Sequence, residues 1–503
     1  MRKAFCILVA IFALATITAQ AQDVKAVLQA ASTAMGGGSL KSIQYSGTGW
    51  QAAVGQSYAP DGDWPRFEMT KYSRVLDYEN RNSREELTRR QGSYPPQGGG
   101  GTPIQGEQQQ INLVSANLAW NMAGTTATPA AAAAELRQLD IWLSPHGFLK
   151  GAMAQGANPT AASLTIGANK VTIVSFTALG KFKVNGTINA ENMVERVQTW
   201  VPNPVFGDMV YEHRYTEYKD YIGVKFPTVL HSHQGDPRLN PGHNWMEVRV
   251  TAVNPNPVMT IDIPAAVRSA TIPAIVVQSE RLANGVWRIA GGSHHSVVVE
   301  FRDFVAVVEG PQDEARSLAV IAEVQKLIPN KPMQYVINTH HHFDHSGGLR
   351  TFVAHGATVV THQSNREFYE DVFFYPSPRT LQPDLLSSRY PWFAGNRIPP
   401  IEAVNQKYVI SDGSRTMELH PMQGLDHNAG MLIAYLPTER ILVNADLYGP
   451  PAAGAQPPAV NANMRALRQN IQRLRLDVTT HVGIHGATGS HQQFMSIVGT
   501  SGN

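Results

Sequence analysis

Thr339-His340-His341-His342-Phe343-Asp344-His345-Ser346-Gly347-Gly348 sets four histidines and one carboxylate within six consecutive positions of a 503-residue chain. Buried imidazoles and carboxylates each need a polar partner that apolar packing does not supply. So dense a set of nitrogen and oxygen donors points to a bound cation. Upstream, Tyr335-Val336-Ile337-Asn338 is a short β-branched run that predicts a buried strand, delivering the cluster onto the loop at its C-terminal end. Ser346-Gly347-Gly348 offers an N-cap and close backbone approach before a predicted helix over Leu349 to Ala354. Ligand sites in open α/β sheets lie at that end of the strands. A solvated His-rich loop is the competing reading, and the strand-loop-helix setting argues against it.

The pattern His340-x-His342-x-Asp344-His345 resembles the signature of the metallo-β-lactamase fold superfamily. The resemblance covers about Ile275 to Gln493 and implies an αββα sandwich with further ligands in loops after strands. It implies a first metal site of His340, His342 and His427, the last in the turn-rich loop Gly424 to Gly430. Asp344, His345 and His485 are expected to hold a second cation. His485 is preferred to His481 because it directly precedes Gly486. Asp446, after the predicted strand Arg440 to Asn444, is expected to bridge both sites, with a structural salt bridge as the alternative. Relatives resembling glyoxalase II and the lactonases carry aspartate here, whereas zinc β-lactamases usually carry cysteine or serine, so antibiotic hydrolysis ranks lower.

The implied cofactor is two zinc ions per chain, with iron or manganese as alternatives. The implied reaction is attack of a zinc-bridged hydroxide on an ester, thioester, lactone or amide carbonyl, with no protein nucleophile. Asp344 and Tyr448 are the catalytic candidates, the first orienting hydroxide and the second donating to an oxyanion, with packing as the alternative for Tyr448. His294 and His295 line the cleft or merely form a turn, and a structural role is the main reading of His362. Where many members carry an Asp-containing turn, this chain reads Glu309-Gly310-Pro311, and Glu309 is expected to take the same supporting role. Two other functions compete: a mononuclear iron dioxygenase resembling the persulfide dioxygenases, and a ligand-binding protein with a structural metal site.

Ahead of this region, Arg2-Lys3, the apolar Phe5 to Ile17 and Ala19-Gln20-Ala21 read as a secretory signal peptide over residues 1–21. A periplasmic or secreted location is expected, with no stable membrane insertion after cleavage. The only cysteine, Cys6, lies in this leader, so thiolates are excluded as metal ligands and nucleophiles. Cleavage removes two of the 41 basic residues and none of the 39 acidic ones, leaving 39 of each. A near-neutral chain is not expected to bind nucleic acid, and a small-molecule substrate is the expected partner.

Residues 22–259 read as a mainly antiparallel β half-barrel or meander, so the fold class is a two-domain α+β chain. Nine strands are predicted between Ile43 and Val253, separated by Gly, Pro, Asn and Asp clusters. Gly92 to Gly106 is expected to be a mobile loop, and Pro129 to Lys150 a helical stretch opening on an alanine run. This architecture resembles the half-barrel domains that shuttle lipids or lipoproteins in the periplasm. Asn-Pro and Ile-Pro pairs mark a linker at 260–273, and 274–503 is the expected metal-binding domain. Its insert Phe368 to Tyr408, rich in proline and aromatics, is expected either to cover the cleft, favouring a hydrophobic substrate, or to dock the N-terminal domain.

Overall fold

The computed structural model describes residues 23–167, 169–235, 243–373, 378–390, 400–452 and 454–499. The expected leader lies outside the described residues, as do Tyr375-Pro376 and Pro391-Trp392-Phe393 of the insert.

Before residue 260 the chain is organised by one open sheet of thirteen strands among the described residues. Ser42–Ala52 lies at its middle, paired antiparallel with Arg66–Asp77 on one side and His243–Pro255 on the other. From there the meander runs outward to the edge strands Thr126–Pro129 and Thr160–Ile166. Buried and half-buried residues alternate along Arg66–Asp77, with Phe67 and Met69 turned to the core. Helices Val24–Ala34, Ala134–Leu143 and Pro145–Met153 cover that core, where Leu28, Leu139 and Phe148 join Tyr45, Val184 and Phe226. Pro145 opens its helix at the first turn, and the Ser144 hydroxyl accepts from the Gly147 amide at 3.2 Å as its N-cap. At Gly186 a side chain would have no room, because a Cβ would stand 2.1 Å from the Phe148 ring.

Four of these strands lie outside the nine expected from the sequence: Asn82–Arg90, Leu118–Ala123, Thr126–Pro129 and Thr160–Ile166. Asn82–Arg90 reads Asn-Ser-Arg-Glu-Glu-Leu-Thr-Arg-Arg and is extended because strands on both sides satisfy its backbone. The expected linker also departs from an open connection. It contains the short helix Ala265–Arg268, whose Val267 packs with Ile111, Leu113 and Trp120 of the large sheet.

The C-terminal region holds a seven-stranded sheet from Gln278–Ala283 to Ile401–Val404 and a six-stranded sheet from Tyr408–Ser411 to Thr488–Ser490. In the first, the strands from Val305–Val308 through Met333–Ile337, Thr358–His362 and Ile401–Val404 run parallel. In the second, Ile441–Asn444 and Thr480–Gly483 are parallel and the other pairs antiparallel. One apolar cluster draws on both sheets, with Val299, Val308 and Ile337 from one and Leu419, Leu432 and Val443 from the other. Helix Glu314–Leu327 packs with Val307 and Val336 in an apolar cluster that is continuous with the N-terminal core, and helices Ala462–Leu474 and His491–Val498 form another with Ile433 and Leu442.

The described part of the insert docks on the N-terminal region. Asp208 accepts from the Thr380 amide at 2.9 Å, the Thr380 hydroxyl at 2.6 Å and the Leu381 amide at 3.1 Å. Arg379 donates to the Pro204 carbonyl at 3.1 Å and the Val205 carbonyl at 2.9 Å.

Candidate metal centre

Strand Met333–Ile337 ends directly before the histidine loop, and Asn338 holds that loop in shape. Its amide donates to the His340 carbonyl at 2.6 Å and the His345 carbonyl at 3.3 Å, while its oxygen accepts from the Thr361 hydroxyl at 2.9 Å and the Tyr369 hydroxyl at 2.6 Å. A fully buried polar side chain with every capacity used fixes backbone that apolar packing would leave free.

Two donor groups converge beside the loop. In the first are His340, His342, His427 and Asp446, in the second His294, Asp344, His345 and His485, with the donor atoms of each group within 4.8 Å of one another. His340 Nε2 lies 3.0 Å from His342 Nδ1 and 3.3 Å from His427 Nε2. His345 Nε2 lies 3.3 Å from His485 Nε2. Asp446 spans both groups, with Oδ2 2.8 Å from His427 Nε2 and Oδ1 2.8 Å from His485 Nε2. Asp446 is left-handed at φ 56°, a conformation aspartate tolerates better than most side chains.

The outer nitrogens settle the tautomers. The Thr339 hydroxyl donates to Glu309 Oε2 at 2.6 Å, so it accepts from His340 Nδ1 at 3.0 Å and leaves Nε2 bare. His345 Nδ1 donates to Glu309 Oε2 at 3.0 Å, and His485 Nδ1 to the Ser293 carbonyl at 2.9 Å. His342 Nε2 donates to the Ser57 carbonyl at 2.9 Å, leaving Nδ1 facing inward. Glu309, fully buried, thus braces both halves of the loop from the turn after strand Val305–Val308. Without a cation, the inward lone pairs would oppose one another at 3.0 to 3.3 Å.

Electrostatics tell the same story. Burial pushes His340 down to about 3, helped by the charge of His345 and only partly opposed by Asp446. His342 is also held well below the ordinary range by burial and its neighbours. Burial would lower His345 too, but Asp446 and Glu309 raise it well above the usual value, and Asp446 raises His485. Burial would raise Asp446, and the charges of His345 and His427 hold it far below the carboxylate range instead. Asp446 and Glu309 thus favour positive charge where the inner nitrogens converge, the place a cation fits. Imidazoles and carboxylates with no thiolate suit zinc, iron or manganese.

Other residues singled out in the sequence lie elsewhere. His481 is buried against His491, Nε2 to Nδ1 3.0 Å, and does not join the group that His485 enters. His341 is held between the Ser57 hydroxyl at 3.0 Å and the Asn428 amide at 2.9 Å. His362 accepts from the Ser364 amide at 3.2 Å and caps the following turn. His294, by contrast, comes into the second group, Nε2 3.1 Å from Asp344 Oδ2. Tyr448 packs its ring on His481 and Phe494 within the cluster beneath helix His491–Val498, and among the described residues no contact joins it to the histidines of the two donor groups. Its surroundings favour the packing alternative over oxyanion donation.

Gln56, Ser57 and the glycine run Gly98 to Gly101 are part of the centre and carry no metal-binding signature. Gly92 to Gly106 was expected to be a free loop. Instead the Gly98 amide donates to the Asp426 carbonyl at 2.8 Å, and a Cβ on Gly99 would stand 2.8 Å from the His342 ring. The usable signal was the run of glycines, which permits backbone to approach another group closely.

Residues 289–467 match the family model of the metallo-beta-lactamase superfamily. The C-terminal region is thus similar to that superfamily. Among solved structures, a metallo-beta-lactamase from Pontibacter korlensis is 14% identical, covering 45% of this chain and 100% of its own, with a TM-score of 0.33. The metallo-beta-lactamase DIM-1 is 12% identical over 45% of this chain and 100% of its own, with a TM-score of 0.33. FIM-1 from Pseudomonas aeruginosa, solved in a mono-zinc form, is 16% identical over 44% of this chain and 93% of its own, at 0.32. No curated protein sequence matches the chain.

Proposed function

We propose that this chain is an exported, periplasmic or secreted hydrolase that holds two zinc ions and cleaves an ester, thioester, lactone or amide bond of a small molecule. The observation that carries the reading is the pair of donor groups joined by Asp446, one oxygen toward each group. The C-terminal layers, helices outside two facing sheets, fit an αββα sandwich, and the domains divide near 260–273.

In the first group His340, His342 and His427 would hold one ion, and in the second Asp344, His345 and His485 the other, with Asp446 shared. Bound there, the ions supply a polarised substrate carbonyl and a water acidified toward neutrality. Asp344 remains ionised, since the hydrogen bond from His294 outweighs the burial that would raise it. It can therefore orient an attacking water by accepting a hydrogen bond. His340, His342 and His345 are fully buried, whereas Asp344 and His485 expose about a third of their side chains, 35% and 34%. Substrate approaches from the second group. His294 lies beside this opening, close against the His485 ring with centroids 4.2 Å apart.

Metal content of the mature protein and of an Asp446→Ala variant tests the reading, together with turnover of a panel of esters, thioesters, lactones and amides, β-lactams included. Two zinc equivalents, fewer in the variant, with turnover of at least one class are expected. One iron unaffected by the substitution, with oxygen uptake, would replace hydrolysis by sulfur oxidation.

A further inference from the structure

The histidine loop is held from two sides, and one side belongs to the N-terminal region. Gln56 Nε2 donates to Asp344 Oδ1 at 2.8 Å, while Gln56 Oε1 accepts from the Gly100 amide at 2.9 Å. One side chain therefore ties the glycine run to a candidate metal ligand. The neighbouring Ser57 supplies the carbonyl that fixes the His342 tautomer, and its hydroxyl meets His341. Phe343, in the middle of the loop, donates its amide to the Gly55 carbonyl at 3.2 Å, and its ring sits 4.9 Å from Phe206 and 6.2 Å from Trp64. Gly55 has φ +73°, and a Cβ there would stand 2.2 Å from the Phe343 ring. From the other direction the Ala429 amide, two residues after His427, donates to the Tyr58 carbonyl at 2.9 Å.

We propose that the metal centre is shared between the two regions, with Gln56 acting as a positioning residue that holds Asp344 for the second ion. This rests on the metal-binding part of the reading above and is independent of the reaction catalysed. Asp344 has two oxygens: His294 and the second group take Oδ2, and Gln56 takes Oδ1. Without Gln56 the carboxylate is held through Oδ2 alone, and its orientation toward the ion is less firmly preset. Outer partners of metal ligands typically contribute about 10- to 100-fold in affinity. Linkage is reciprocal, so an ion that orders Asp344 also steadies Gln56 and the glycine run behind it.

The experiment uses the full mature chain and zinc alone as probe. Zinc affinity at both sites is measured by competition with a chromophoric chelator, in the wild type, Gln56→Ala and Gln56→Met. Methionine keeps the side-chain length and removes both polar atoms, which serves if alanine does not fold. Cobalt(II) absorption of each protein reports the geometry of the second site. Expected are one site of unchanged affinity, a second weakened about 10- to 100-fold, and an altered cobalt spectrum. Amide exchange over residues 97–102 slows with zinc in the wild type and responds less in the variants. Two sites of wild-type affinity with an unchanged cobalt spectrum in folded variants overturn the proposal. A wild type that binds no zinc overturns the metal reading itself.

Discussion

A histidine offers a cation a lone pair or a proton according to what its other nitrogen does. In this centre the outer nitrogens of His340, His342, His345 and His485 meet Thr339, Ser57, Glu309 and Ser293 in turn, and all four inner nitrogens are left bare. Tyr448 is the contrasting case. Its hydroxyl is buried with no hydrogen-bond partner, in an apolar cluster. Removing an unsatisfied buried hydroxyl costs little and can even stabilise. Tyr448→Phe is therefore expected to keep the metal content and to leave turnover within about twofold of wild type, with an unchanged or slightly higher melting temperature. A loss of turnover beyond tenfold at constant metal content would return the hydroxyl to the chemistry. The sequence brought this residue forward for its place two positions after Asp446 and by resemblance to the lactonases, and spacing along a loop does not say to which side of a sheet a ring turns.

Among the elements, those whose own residues dictate them were legible. Met333–Ile337 and Leu349–Ala354 fall where a β-branched run and an N-terminal glycine pair predicted them, and Asp313 caps Glu314–Leu327 by accepting from the Arg316 amide at 2.8 Å. Strand Asn82–Arg90 was not legible, because its extension comes from neighbours far along the chain. Glu309 was legible from its place after a strand, whereas Gln56, distant by nearly three hundred positions from Asp344, was not. Helix Pro145–Met153 leads to a prediction of its own. His146 donates from Nε2 to the Met35 carbonyl at 3.1 Å, and its other nitrogen is buried without a partner. Burial lowers this histidine to about 4, with the nearby Lys150 charge adding to the effect. The unfolded chain then binds the proton more readily than the folded one. Stability from this group is complete above about pH 6.5 and drains away as pH falls toward 4. Between pH 7 and 5 the wild type is expected to lose on the order of 2 kcal/mol more than His146→Gln, followed by urea unfolding of both proteins. Parallel pH profiles would show that this helix does not carry the acid sensitivity.

Among the described residues, the two regions meet at the metal loop, where Phe343 is seated on Phe206 and Trp64, at the His427 loop, where Asp426 and Ala429 bond Gly98 and Tyr58, and at the segment after residue 378, held by Asp208. The last contact is built from charge and backbone. Asp208 is 5% exposed and accepts three hydrogen bonds, while its own amide donates to the Pro378 carbonyl at 2.7 Å. Arg379 caps carbonyls of the Asn203 to Val205 turn and pairs with Asp384, which in turn is bound by Arg350. Burial, with the Arg350 charge, lowers the Arg379 guanidinium to about 9 against the opposing charges of Asp384, Asp208 and Glu314, and it stays charged at neutral pH. Asp208→Ala leaves two amides and a hydroxyl of the docked segment without their charged acceptor, at about 1.5–3 kcal/mol for hydrogen bonds to a charged group. Trypsin is the direct probe, since the Arg379 side chain is only 6% exposed and becomes a substrate when the segment lifts away. In the regime where opening is fast relative to cleavage, the rate follows the open population, and cutting at this site should rise roughly 10- to 100-fold in the variant. Zinc content should hold at the wild-type level, because Gln56 and Phe343 anchor the metal loop through separate contacts. If zinc is lost together with trypsin resistance, the two contacts form one cooperative interface, and the docked segment takes part in shaping the metal centre.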